Sequence, residues 1–264
     1  MTTALTSKAG AEQLTSGSAV RLKNVSKVYG RGAAAVHALD NISLDVAPGE
    51  FVCLVGASGC GKSTLLSLVA GLDRTTTGSI DVAGDRDPGL MFQEPALFPW
   101  LTVADNVALP LRLRRVPRAE RKARVEELLK VVHLEDFGRK RPHELSGGMR
   151  QRVSLARTLA LDSPVLLMDE PFGALDAMTR DLLHDELERI WTERQLTVVF
   201  VTHNVREAAR LGNRIVLLSS RPGRLAWQRP VDVTRPRRID SPEIASIAAE
   251  VTDRLRQEVQ RHGA

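Results

Sequence analysis

The 264-residue sequence predicts an α/β fold built on a mainly parallel sheet, on three observations. Strand-like runs alternate with helical patterns, the mark of parallel strands joined by crossover helices. Three of the runs, residues 51–55, 165–168 and 197–201, are almost wholly apolar, as strands covered on both faces are. A glycine-rich segment stands between the first of these runs and a helical one.

The expected strands in order are 20–25, 42–46, 51–55, 89–92, 165–168, 197–201 and 215–219. Between residues 95 and 145 strands vanish, and helical segments rich in Arg, Glu and Leu take over at 103–114 and 118–132. That stretch reads as an inserted helical lobe, about 95–150. After Ser219 come Pro222, Pro230 and Pro236 among arginines, then an amphipathic helix over about 241–261. Residues 1–18 are rich in Thr, Ser, Ala and Gly with no apolar core, so they read as a flexible tail and not as a signal peptide. The expected division is a tail at 1–18, one domain at 19–231, and a basic segment with a closing helix at 232–264.

Composition excludes several classes. Hydrophobic residues at 43% and charged ones at 26% are those of a globular chain and argue against disorder. No apolar run approaches the roughly 18 residues that a spanning helix needs, so the chain is not expected to be a channel itself. Two cysteines, Cys53 and Cys60, make neither a disulfide framework nor a zinc site, and they suit a reducing, cytoplasmic compartment. The net charge of +5 is spread over short clusters with no single basic helix, which reads as solvated arginine-rich faces and argues against nucleic acid as a partner.

Gly56-Ala57-Ser58-Gly59-Cys60-Gly61-Lys62-Ser63-Thr64 fits the G-x-x-x-x-G-K-[ST] phosphate loop, in the strand-to-helix context that the pattern requires. This makes the expected fold a P-loop NTPase. Glycines let successive N–H groups turn inward around phosphate oxygens, and the following helix adds the positive end of its dipole. Lys62 is expected at the β- and γ-phosphates of ATP, Ser63 on Mg²⁺. Cys60, beside a helix start and Lys62, is expected to be a reactive thiol if reachable. Downstream, the buried run ends in Asp169 and Glu170. Paired with the loop, Asp169 reaches the metal held by Ser63, and Glu170 is the natural base for a water.

Just upstream, Leu145-Ser146-Gly147-Gly148-Met149-Arg150-Gln151-Arg152 resembles the signature sequence of the ATP-binding cassette (ABC) family. The remaining elements of that family follow in order: Tyr29 resembles the aromatic that stacks on adenine, Gln93 the Q-loop glutamine, Ala174-Leu175-Asp176 the D-loop, and His203 the switch histidine. The likeness runs from about residue 20 to 231. It implies a RecA-like, mainly parallel core with an antiparallel β lobe and the inserted α-helical lobe. It also implies a composite site, in which the phosphate loop of one subunit faces Ser146, Gly147 and Gly148 of another across ATP, with Asp176 beside the nucleotide. Glu170 would polarise the water, His203 and Gln93 would sense the γ-phosphate and Mg²⁺, and Lys62 would balance developing charge. Met149 departs from the usual glutamine, and Asn204 and Arg206 replace the acidic residues common after the histidine.

The span from Lys62 to Ser146 is too short for the coiled coil of chromosome-type cassettes, one cassette is fewer than translation factors carry, and no membrane helices are fused. These features favour a transport subunit over the alternative, a nucleic-acid- or ribosome-linked ABC ATPase. Leu97 to Val103, Arg221-Pro222-Gly223-Arg224, and Val231-Asp232-Val233 followed by Arg235-Pro236-Arg237-Arg238 are similar to the nitrate, sulfonate and taurine importer group, with thiamine-precursor importers also similar, and the last string has a second reading as a basic linker. The resemblance implies a homodimer on paired integral membrane permease subunits at the cytoplasmic face of the membrane, with an extracytoplasmic solute-binding protein as indirect partner. Trp100 reads either as lining a groove for a permease helix or as core of the helical lobe.

Overall fold

The computed structural model describes residues 17–173 and 175–262. The tail expected over 1–18 lies outside them except for its last two residues, as does Ala174.

Two sheets organise the chain. The smaller is antiparallel, in the order β2-β1-β4, from β1 (Val20–Tyr29), β2 (Val36–Val46) and β4 (Thr77–Val82). The larger contains β3 (Phe51–Gly56), β5 (Gly89–Met91), β6 (Val165–Asp169), β7 (Thr197–Val201), β8 (Arg214–Leu218) and β9 (Leu225–Pro230). Its order is β5-β6-β7-β3-β8-β9, parallel throughout except that β9 runs antiparallel to β8. The helices are α1 (Lys62–Val69), α2 (Val103–Leu113), α3 (Arg118–Val131), α4 (Gly147–Leu159), α5 (Ala177–Arg194), α6 (Val205–Leu211) and α7 (Pro242–His262); α1, α4 and α6 pack on the sheet, α2 and α3 on α4, and α7 on α6.

The apolar runs are buried on both faces, as their composition requires. Phe51, Cys53 and Val55 of β3 enter one core and Val52 and Leu54 the other; β6 and β7 divide in the same alternation. That is the period of two of a strand serving two layers. Between Pro95 and Leu145 the described residues hold α2, α3 and two short 3-10 turns and no strand. The first of these helices is fixed by Thr102, whose hydroxyl accepts from the Asp105 N–H at 3.1 Å.

Some elements differ from expectation. Both β1 and β2 are longer than their apolar runs, because left-handed Asn24 (φ 50°) and Asn41 (φ 51°) accommodate irregular pairing that carries the ribbon on to Tyr29 and Val36. The two strands that the sequence did not signal, β4 and β9, are partly exposed and carry no apolar run. Two helices, α5 and α6, were not separately marked either: the first has only four buried positions over 18 residues, and the second is seven residues long.

The C-terminal arginines are structural. Arg237 is 5% exposed and donates to the carbonyls of Val233 (2.8 Å), Val231 (2.8 Å), Gly212 (2.6 Å), Arg210 (3.2 Å) and Ala209 (3.3 Å), meeting the last carbonyls of α6. Burial first, then the charge of Arg235, pulls its pKa down to about 10. Arg235 lies over the Trp191 ring at 4.6 Å and pairs with Glu188 at 2.8 Å. The linker reading of this segment therefore fails. Arg237→Met, which keeps the stem but strands buried carbonyls, is expected to lower the unfolding free energy by about 2–4 kcal/mol in a urea titration. Arg238→Met, at a residue whose side chain is 81% exposed, is expected to leave the midpoint unchanged.

Candidate functional site

One cleft of about 490 Å³ gathers most of the expected residues: Tyr29, Gly56, Ser58, Gly59, Gly61, Lys62, Ser63, Thr64, Gln93, Glu170 and His203. They come from the ends of β1, β3, β5, β6 and β7. Gly61 shapes the loop: its φ is +103°, and a methyl there would sit 2.6 Å from Leu39 Cδ2. It stands at the N-cap of α1 with no side chain capping the helix, which leaves first-turn N–H groups for an anion.

Lys62 is buried, and its ammonium donates to the carbonyls of Gly56 at 2.8 Å and Ala57 at 2.9 Å. A third, weaker contact is Cys60 Sγ at 3.8 Å. Cys60 itself is 1% exposed, under the loop and outside the cleft lining, while its N–H donates to Ala57 O at 3.3 Å. The expectation of a reactive thiol is corrected by that burial: proximity to Lys62 is as expected, but the thiol is not at the surface. A role for Cys60 toward a ligand would be one of loop packing.

Asp169 ends β6 and is 9% exposed. Burial raises its carboxyl above the usual range, opposed by a hydrogen bond from Ser63 and by the charge of Lys62, with Glu170 adding to the rise. A half-buried pair of carboxylates with a serine hydroxyl between them and the phosphate loop suits a small hard cation. Among the described residues no cluster of three His, Cys, Asp or Glu surrounds a metal position. A cation there would take its remaining ligands from phosphate oxygens and water, as Mg²⁺ does.

Glu170 sits in the left-handed region at φ 45°, a conformation that costs a non-glycine residue of order 1–3 kcal/mol. Its N–H donates to Val201 O at 2.9 Å, so the strained turn is pinned to β7. One carboxylate oxygen, Oε2, meets Nδ1 of His203 at 3.0 Å and accepts from Gln93 Nε2 at 3.4 Å. Three residues far apart in sequence thus converge on one oxygen.

His203 is exposed and held from behind by a buried network. Thr202 Oγ donates to Glu207 Oε2 and accepts the Asn204 N–H at 2.9 Å. His184 of α5 is fully buried, with Nε2 at 2.6 Å from Glu207 Oε1 and Nδ1 at 3.2 Å from Arg210 Nη1. Arginine can only donate, so Nδ1 carries the lone pair and Nε2–H donates to Glu207. The His184 ring also packs on Phe172, centroids 5.2 Å apart, two residues beyond Glu170. Asn204 caps α6, its Oδ1 accepting from the Arg206 and Glu207 N–H groups at 3.1 and 3.3 Å. The departure from an acidic residue there keeps the cap.

Tyr29 is 42% exposed at the cleft edge, with its hydroxyl donating to Asp73 at 2.9 Å and Lys27 Nζ 4.7 Å from its ring centroid. Other expected residues lie outside the cleft. Ser146 caps α4 by accepting the Met149 N–H at 3.2 Å, and Ser146 and Gly147 are exposed. Asp176 caps α5 through Thr179 N–H at 2.9 Å. Met149 is partly buried against the main core.

Sequence reasoning missed five residues. Val36, Ala38 and Arg221 line the cleft. From α4, Arg157 donates to the carbonyls of Ala96 (2.7 Å) and Pro95 (2.8 Å), and Gln151 to that of Gln93 (3.3 Å), so this helix holds the glutamine loop. Nothing in spacing announced these contacts, which pair side chains with backbone carbonyls some 60 residues away.

Residues 39–173 match the profile of the ABC transporter family. The chain is 45% identical over 219 residues to an aliphatic sulfonates import ATP-binding protein of Bacillus subtilis, covering 81% of this chain and 85% of the relative. It is 45% identical over 230 residues to a nitrate import ATP-binding protein of Synechocystis, covering 85% and 86%. It is 48% identical over 217 residues to a taurine import ATP-binding protein of Burkholderia thailandensis, covering 80% and 84%. A solved dimeric structure of an ATP-binding cassette in a post-hydrolysis state, bound to ADP and Pi, superimposes with TM-score 0.75 at 36% identity, over 81% of this chain and 100% of that one.

The raised pKa of Asp169 means that its charge costs the folded state free energy at neutral pH, where an unfolded chain ionises it freely. Asp169→Asn, which still accepts from Ser63, is therefore expected to raise the melting temperature of the protein alone. Addition of MgATP is expected to stabilise the wild type and to do little for the variant. A variant that melts lower than wild type would mean that the chain itself compensates the charge.

Proposed function

The chain belongs to the ABC transporter family, and on that premise we propose that it is the ATP-hydrolysing subunit of a membrane importer, working as one of two copies closed face to face on ATP. The observation that carries this reading is a division of labour in one chain. The phosphate loop, Glu170, Gln93 and His203 share a cleft, with buried Asp169 accepting from Ser63 of that loop, whereas the N-terminus of α4 at Ser146 to Gly148 lies outside it. Those backbone N–H groups are free to serve a phosphate only on another copy.

In this reading Tyr29 stacks on adenine and the phosphate loop cradles the triphosphate. Lys62 exchanges its weakest contact, the Cys60 thiol, for a phosphate oxygen. Ser63, Asp169 and Gln93 would hold Mg²⁺, which supplies charge neutralisation on the phosphates. Glu170 accepts the proton of the attacking water, with His203 and Gln93 orienting its carboxylate. Strain at Glu170 and the His184–Glu207–Thr202 network behind His203 keep these groups preorganised.

Trp100, 67% exposed and 5.4 Å from the Phe98 ring, favours the permease-groove reading over the lobe-core one. A cleft of about 730 Å³ between α2 and α3, lined by Arg112, Arg118, Arg121 and Lys122 as well as acids, offers room for a helix of a permease. Among the described residues no helix is long and apolar enough to cross a membrane, which suits a subunit held at the cytoplasmic face by such partners. The imported solute is an aliphatic sulfonate, taurine or nitrate, in line with the relatives, and their names lend nothing to the nucleic-acid- or ribosome-linked alternative. Solute capture by an extracytoplasmic binding protein completes the assembly.

Glu170→Gln keeps shape but accepts no proton, so phosphate release is expected to fall by at least about a hundredfold, the scale of general-base contributions. Unhydrolysed ATP is expected to hold two copies of this variant together in light scattering. Adding Ser146→Arg is expected to restore the monomer while each cleft still binds ATP; a monomer that persists with ATP in Glu170→Gln alone would count against the composite site. Deletion of the gene is expected to abolish growth on a sulfonate, taurine or nitrate as sole sulfur or nitrogen source, with growth on sulfate and ammonium retained. Undiminished growth on all three would remove the substrate assignment and leave the ATPase.

A further inference from the structure

The cleft has a wall that its motifs do not explain, the β8–β9 connection at residues 219–224. This loop is built rigidly. Ser219 and Arg224 close it by two bonds, Ser219 N–H to Arg224 O and Arg224 N–H to Ser219 Oγ, both 2.9 Å. Gly223 then pairs with β2, donating to Ala38 O and accepting from the Asp40 N–H, again at 2.9 Å each. Arg224 adds an ion pair to Asp40 at 2.6 Å. The approach to the phosphate loop requires glycine, since a Cβ on Gly223 would fall 2.2 Å from the Cys60 carbonyl oxygen.

The loop delivers Arg221 to the cleft. Its Nη2 donates to the carbonyl of Gly59, inside the phosphate loop, at 3.3 Å. A guanidinium has five N–H donors, and among the described residues this is its one hydrogen bond. The other cations nearby are already engaged. Lys62 spends its ammonium on Gly56, Ala57 and Cys60, and Arg224 is spent on Asp40. Arg221 is thus the lining cation with donors to spare, and its bond to Gly59 sets it against the phosphate loop.

We propose that Arg221 is a nucleotide-binding residue of this chain, closing its guanidinium fork on phosphate oxygens of the nucleotide held in the cleft. The inference rests on the cleft being the nucleotide site. Planar paired donors match phosphate geometry, and charge-assisted bonds of this kind are the strong ones. The segment Arg221-Pro222-Gly223-Arg224 then acts as one unit: Gly223 permits the approach, Arg224 anchors the loop, and Arg221 binds.

The test is equilibrium titration of the full-length protein with ATP, with inorganic tripolyphosphate and with adenosine, in EDTA so that no turnover occurs. Arg221→Ala is expected to weaken ATP and tripolyphosphate by about tenfold or more, the scale of a hydrogen bond to a charged group, and to leave adenosine within about twofold. Arg221→Lys, which keeps charge but loses the fork, is expected to recover part of the loss. Unchanged melting of both variants guards against a loosened loop. Wild-type affinity for ATP and tripolyphosphate in Arg221→Ala would overturn the proposal, as would an equal loss of adenosine, which would put the side chain on the nucleoside. Lys62→Ala separates the two readings: if it abolishes ATP binding while Arg221→Ala does not, only the role of Arg221 fails. If Lys62→Ala binds ATP normally, the nucleotide cleft fails and Arg221 with it.

Discussion

The cleft depends on the register of three parallel strands. In this sheet β3 lies beside β7 and β7 beside β6, with Leu54 level with Val201 and Val201 level with Asp169. Each strand therefore hands its chain to the same edge at the same height: β3 to the phosphate loop, β6 to Glu170, β7 to Thr202 and His203. A slip of one residue in any strand would send its apolar side chains to the wrong core and carry its functional residue away from the others. Burial on both faces makes that slip costly, so the cores that stabilise the sheet also set the site.

Charge at this edge is balanced with little slack. Asp169 and Lys62 are both nearly buried, one with its carboxyl pushed up by desolvation and the other clasped by loop carbonyls. Glu170 is held in a strained turn, and Gln93 and His203, from distant loops, meet one of its carboxylate oxygens. Such an arrangement holds its charged groups in fixed positions before any ligand arrives, the property expected of a preorganised site. Behind it, the one-way hydrogen bonds from Arg210 through His184 to Glu207 tie α5 and α6 to the turn bearing His203. The far end of α6 is closed by Arg237, which brings residues beyond the expected domain limit into the support of the site.

The expectations from sequence succeed and fail for reasons that can be named. Runs such as FVCLV and TVVFV are legible because a strand buried twice has no polar alternative, and the phosphate loop is legible because its chemistry needs glycine, lysine and serine at fixed spacing. The strands β4 and β9 are not, because half-exposed edges carry no apolar signal. Cys60 misleads because the helix start and Lys62 that activate a thiol are visible in sequence and its 1% exposure is not.

By itself the sequence determined the mainly parallel core and the identity of the phosphate loop, since each follows from local periodicity or from the backbone demands of a short motif; the antiparallel lobe and the order of the residues expected around that loop came from the resemblance to the ABC family. Tertiary structure alone decided what meets what. It brought Gln93 and His203 to a single oxygen of Glu170, hid the thiol of Cys60 and turned Arg237 from a linker cation into the cap of α6. It also set Arg221 over Gly59. Each of these is a contact between segments tens to more than a hundred residues apart, and its geometry exists only once the strand register has been chosen.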